Sequence, residues 1–193
     1  ANFPFTRNTG AYLQKGCLAP HSVAQGDNSI FWLSSSPQGE GLVMKLEGYS
    51  PVVVSTPEIG EAIARFSTKS DAIGYVYMEG GHEFYRLTFP TANVTYVYDS
   101  TMSAIVGQAM WHEASSFNIG RHIANCYAFF NGNHIIGDYN SGKLYKMSQD
   151  YLDESGTIIQ RFIVCQHQHV SGLLVFIDEL EILMECGVGN ATG

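Results

Sequence analysis

The chain has 193 residues, 45% hydrophobic and 12% aromatic, and only 15% are charged against the roughly 25% usual in soluble domains. That composition excludes intrinsic disorder, which needs low hydrophobicity and high net charge. With 18 acidic against 10 basic side chains the formal charge is -8, and no run of Lys or Arg interrupts the acidic background. Direct nucleic-acid binding is therefore not expected, because such affinity rests on neutralising phosphates with a clustered basic stripe. No stretch approaches the roughly 18 continuous apolar residues of a membrane helix, and Ala1-Asn2-Phe3-Pro4 supplies neither a signal run nor an initiator Met. No membrane association is expected.

Along the chain the dominant pattern is alternation at period two, broken by Gly, Asn, Asp and Ser clusters, which marks half-buried strands joined by turns. A first group of strands is expected around Ile30 to Ser34, Gly41 to Glu47 and Pro51 to Ser55, with a remaining strand near His21 to Gln25. Leu42, Met44 and Leu46 share one face, and Lys45 and Glu47 the other. One segment breaks the pattern. In Ser55-Thr56-Pro57-Glu58 a capping hydroxyl, an early proline and a first-turn acid precede Ile59, Ala62, Ile63 and Phe66, so a short helix from about Pro57 to Phe66 should connect two sheets.

A second group follows at Ala72 to Met78, Glu83 to Phe89, Val94 to Tyr98 and Gln108 to Glu113. Tyr85, Leu87 and Phe89 face one way, and Val94, Tyr96 and Tyr98 repeat the scheme. His82, after Gly80-Gly81, reads as a turn residue. The third group comprises Asn125 to Phe130, Asn133 to Asp138, Lys143 to Met147 and Ile158 to Val164. Its sharpest signal is Asn131-Gly132, since a two-residue type I′ turn demands positive φ at both central positions. Ser141-Gly142 and Ser155-Gly156 mark two further turns. The tail, Leu173 to Ile177 and Glu179 to Met184, starts another unit.

Blocks of roughly 40 to 50 residues with four strands each are the size of propeller blades. The expected fold is all-β, with propeller-like repeats of antiparallel four-stranded sheets and one short helix. It is read as one β-rich domain over 1–193 with units at about 17–55, 72–114 and 123–165 and a partial unit at 173–185. Three blades and a fragment fall short of the usual four to eight or so, so either an incomplete propeller, cut from a longer chain, or an irregular sandwich is expected.

The chemical candidates are few. Cys17, Cys126, Cys165 and Cys186 form no CxxC pair and read as small buried hydrophobes left reduced. Cys165, His167 and His169 alternate and would share one side of a strand, as metal ligands could, but no fourth ligand is apparent. His112 and Glu113 beside Trp111 could, with Asp99 or Asp138, suggest a glycosidase pair of carboxylates. Consecutive strand residues point to opposite faces, so the plainer reading has Trp111 packing between blades and its neighbours bonding across strands. Met78, Met102, Met110, Met147 and Met184 are too dispersed for a copper site and read as core fillers. Asn93-Val94-Thr95 and Asn190-Ala191-Thr192 match the glycosylation sequon. No catalytic, cofactor or metal residue is assigned, and no enzymatic activity is expected.

The ordered strings Phe31-Trp32-Leu33, Val54-Ser55-Thr56-Pro57-Glu58-Ile59, Asp71-Ala72-Ile73-Gly74-Tyr75, Gly81 to Pro90, Thr95 to Asp99, Trp111-His112-Glu113, Asn131-Gly132, Gly137-Asp138 and Ser141 to Tyr145 carry a resemblance. Across Gly16 to Cys165 the chain resembles the phage packaged-DNA stabilisation family, the tail hubs of short-tailed phages. Ala114 stands where that family leads one to expect an arginine. The resemblance implies a structural virion protein of the tail hub, made in the host cytoplasm. It would help close the portal channel and retain packaged DNA by binding portal-adaptor and tail proteins and the tail needle, within a homo-oligomeric ring. The alternative is a carbohydrate-binding or carbohydrate-processing propeller of a phage tail.

Overall fold

The computed structural model describes residues 15–36, 41–162, 164, 179 and 181, with the backbone alone at 158. The chain divides into two units, 1–148 and 149–193.

In the first unit a 3-10 turn, Pro20–Ser22, leads into β1 (Ala24–Gln25), β2 (Ser29–Ser35), β3 (Gly41–Glu47) and β4 (Ser50–Val53), which pair antiparallel in that order. The strand expected near His21 to Gln25 is thus only its last two residues. Ser22 explains the difference: its hydroxyl donates to Ala19 O and accepts from Leu33 N, which curls the chain before it can extend. Next comes α1 (Pro57–Ala64), capped by the Thr56 hydroxyl, which accepts from Ile59 N. It presses Ile63, fully buried, against β3, where a Cβ on Gly41 would fall 2.0 Å from Ile63 Cγ2.

The second sheet is β5 (Ile73–Glu79), β6 (His82–Phe89), β7 (Val94–Asp99) and β8 (Met110–Glu113), again antiparallel in chain order. Between β7 and β8 lies α2 (Ser100–Val106), so the described residues hold two α-helices where one was expected. Asp99 caps it by accepting from Met102 N at 2.8 Å, and Gly107 ends it in the left-handed region. Ile105 and Val106 stay exposed, so no apolar stripe announces this helix in the sequence.

The third sheet has three strands, β9 (Ala124–Phe130), β10 (Asn133–Asp138) and β11 (Leu144–Met147), in the order β11-β10-β9. Its hairpin closes on Asn131 and Gly132, with φ of 48° and 73° and Phe130 paired to Asn133, as a two-residue turn requires. A bulge at Asn125, between the pairs Gly137–Cys126 and Asp138–Ala124, bends the start of β9. The fourth strand expected over Ile158 to Val164 does not join this sheet. In the second unit β12 (Asp153–Glu154) and β13 (Thr157–Ile158) form their own two-stranded ladder. Ser155 and Gly156 both take positive φ, so the chain reverses in two residues and commits Thr157 to Glu154. The strands expected at Leu173 to Ile177 and Glu179 to Met184 lie outside the described residues, save for 179 and 181.

The cross-strand register of the second sheet assigns its faces. Val76, Tyr85, Tyr98 and Trp111 form one row, and Tyr75, Arg86, Val97 and His112 another on the opposite face. The first row packs against the first sheet in a core with Phe31, Leu33, Val43, Leu87 and Phe89; Phe31 stacks on Tyr85 at 4.9 Å. The opposite face meets the third sheet through Tyr75, Tyr77, Ala124 and Ile136. The second sheet is therefore covered on both faces. Full burial of a side chain such as Phe89 or Leu87 contributes about 1.5–3 kcal/mol, so two dry faces hold the three layers together.

Candidate functional site

Chemistry-bearing side chains concentrate at the two joints between sheets. At the first joint Trp111 Nε1 donates to Val54 O at 2.8 Å, across from β8 to the end of the first sheet. Its ring lies 5.1 Å from Tyr98. Tyr85 donates its hydroxyl to Ser22 O at 2.7 Å, and burial drives its pKa far above the ordinary phenol value, so it remains a donor. Glu83 reaches the β1–β2 turn, accepting from Asp27 N at 2.8 Å. Beside it opens a cleft of about 540 Å³, lined by Lys45, Glu47, Met78, His82 and Glu83 among others and by no Tyr, Trp or Phe.

The second joint centres on Arg86. Its guanidinium donates to the hydroxyls of Tyr75 and Tyr77 at 3.0 and 3.2 Å and lies 5.6 and 5.1 Å from their ring centroids. Among the described residues no carboxylate ion-pairs with it, and its Nε has no hydrogen-bond partner. Both ring nitrogens of His122 lie 3.1 Å from Nη1, the guanidinium nitrogen that also donates to Tyr75. Burial first, and the Arg86 charge second, hold the His122 imidazole well below its ordinary pKa. A second arginine, Arg121, is also buried, stacked 3.6 Å over the Tyr139 ring.

The residues weighed as catalytic do not converge. His112 lies on the Arg86 side of the second sheet, where partial burial and then Arg86 lower its pKa. Glu113 lies on the other face, paired across the ladder with Tyr96. Asp99 is occupied by the α2 cap and by His82 Nδ1 at 2.7 Å. Asp138 accepts from Asn140 N, Ser141 N and the Ser141 hydroxyl within its own turn. Trp111 packs between sheets, as alternation implied.

Several expectations are corrected. His82 is the first residue of β6 with a carboxylate partner rather than a turn residue. Cys17 and Cys126 are free but exposed, not buried; Cys126 sits on the third sheet's outer face, over Gly137. Met147 fills the second core, while Met78 and Met110 are exposed. Asn93 is tied down structurally: its side chain donates to Ile119 O and accepts from Arg121 N. Among the described residues no group of three or more His, Cys, Asp or Glu could hold a metal. The set Cys165, His167 and His169, with Cys186, Met184 and the sequon at Asn190, lies outside the described residues.

The chain also matches a known family. The family model described as Bacteriophage P22 Gp10, beta-propeller, matches residues 1–152. The chain belongs to this phage DNA-stabilisation family. No curated protein matches it. Membership makes it a phage structural stabilisation protein, which implies a non-enzymatic role associated with the virion. The three antiparallel sheets agree with the family's β-propeller fold, and among the described residues no closure into a ring of blades is detected.

Arg86, His122 and Arg121 escaped the sequence reading. Alternation puts Arg86 opposite Tyr85 and Leu87, a side that a one-faced sheet would leave in water. The available signal was Tyr75 and Tyr77, large aromatics at the same phase as Arg86.

Proposed function

We propose that this protein acts in the phage tail hub, closing the portal channel and retaining packaged DNA through contacts with neighbouring tail proteins rather than with the DNA. The portal adaptor, the tail needle and further copies of the chain in a ring are its partners in this reading, and the tail is its place in the virion. The observation that carries it is the fate of the cations. Of the 10 Lys and Arg residues, Arg86 and Arg121 are buried in the fold, and Lys45 and Arg65 are ion-paired at 3.3 and 3.4 Å. With a net charge of -8 and no run of Lys or Arg in the sequence, few cations are left to neutralise phosphates.

Binding of labelled duplex DNA by fluorescence polarisation tests this mode. The expected outcome is no saturable binding at low salt, where a phosphate-gripping protein binds tightest. Submicromolar affinity that weakens steeply with salt would contradict it.

A further inference from the structure

We propose that the cleft at the joint between the first and second sheets is a docking site for a basic segment of another protein, an arginine carried between apolar residues. The inference rests on this surface alone and holds whether or not the partner belongs to the tail. Apolar side chains left in water crowd the rim of the cleft. Tyr49, beside the lining residue Gly48 in the β3–β4 turn, is 82% exposed. Met78, near the end of β5, is 48% exposed and lines the cleft itself. Ile105 is 72% exposed and lies one helical turn beyond the lining residue Thr101, on the same face of α2. Three elements thus present an aromatic, a methionine and a branched aliphatic around one opening. Clustered exposure of this kind marks protein contact, where scattered exposure does not.

The floor of the cleft is fixed before any partner arrives. Glu83 of β6 accepts from Asp27 N at 2.8 Å, and its own N–H donates to the Thr101 hydroxyl at 2.9 Å. Gly26 lets the β1–β2 turn come this close, since a Cβ there would fall 2.0 Å from Glu83 Oε1. One residue therefore ties the first sheet, the second sheet and α2 around the opening. A site held in shape in this way loses little freedom on binding. Its volume of about 540 Å³ lies within the roughly 300–1,000 Å³ of clefts that receive ligands.

Charge decides the occupant. Glu83 is occupied by the turn and His82 by Asp99, but Asp27 and Glu47, both exposed, also line the cleft. Lys45 Nζ meets Glu47 Oε1 at 3.3 Å, which leaves Glu47 Oε2 and the Asp27 carboxylate without an ion pair among the described residues. An arginine answers both features of the site. Its planar guanidinium presents paired donors that match a carboxylate, while its stem and its apolar neighbours cover Met78, Tyr49 and Ile105. A second copy of the chain is a poor occupant, because each copy carries a charge of -8 and the two repel.

Two-dimensional NMR of the isotope-labelled full chain, titrated with the peptide Gly-Ser-Leu-Arg-Leu-Ser-Gly, tests the site. Saturable amide shifts are expected over 26–29, 45–49, 78–83 and 101–105, and none over 124–138. Replacing the arginine of the peptide by citrulline, its neutral isostere, should weaken binding about tenfold, and Asp27→Asn combined with Glu47→Gln should do the same. Met78→Ser should weaken it about threefold with both carboxylates in place. No saturable shift, shifts centred on 124–138, or equal affinity for the citrulline peptide would overturn the proposal. Shifts at the cleft that grow with protein concentration before any peptide is added would make a second copy the occupant and overturn it as well. Should the double variant not fold, the comparison of arginine and citrulline peptides on the native chain decides.

Discussion

Gly74 shows how a single residue sets the spacing of two layers. A Cβ there would lie 2.6 Å from Ser22 O and 2.8 Å from the Tyr85 hydroxyl, the two atoms whose hydrogen bond joins the 3-10 turn to the second sheet. Gly74→Ala should therefore cost about 1–3 kcal/mol, because the backbone oxygen cannot yield as a flexible side chain would. Urea titration checks this; an unchanged midpoint would show that the turn does not dock where it is placed. Gly74 and Ser22 are 52 positions apart, and nothing in either local sequence announces their meeting. Trp111 is the opposite case, since alternation alone put it between sheets. Arg86 was illegible for a physical reason: period two tells which residues share a face, not whether the far face is wet, and here the third sheet covers it.

Elements with strong local chemistry were the legible ones. The Thr56-Pro57-Glu58 start of α1 and the paired positive φ of Asn131-Gly132 are written in a few adjacent residues, and both appear where expected. A Cβ on Gly132 meets nothing within 4 Å, so substitution there acts through φ alone. Gly132→Val should cost about 1–3 kcal/mol and lower the unfolding midpoint while leaving low-temperature far-ultraviolet dichroism nearly unchanged. A harmless Gly132→Val would take the β9–β10 hairpin with it. The second helix escaped notice because only its ends carry signals, Asp99 and Gly107, while its apolar residues Ile105 and Val106 face out. The fourth strand of the third sheet failed on a competing signal. The Ser155-Gly156 turn gave Thr157 and Ile158 a nearer partner in β12.

At the scale of the molecule, a central sheet covered on both faces joins three layers through two chemically different joints, one an apolar core rimmed by the Trp111, Tyr85 and Glu83 hydrogen bonds and one built on a buried cation. Membership of the P22 Gp10 family gives this architecture its setting in DNA stabilisation. In the proposed role retention works through protein contacts, since a chain with charge -8 would repel the genome it helps to hold. The most direct measurement is nuclease sensitivity of DNA-filled particles assembled without this protein, before and after the purified protein is added. Restored protection that persists at a salt concentration suppressing phosphate contacts, with no affinity of the protein for free DNA, is the result predicted. Particles that stay open on addition, or protection that disappears with rising salt in step with DNA binding, would contradict it.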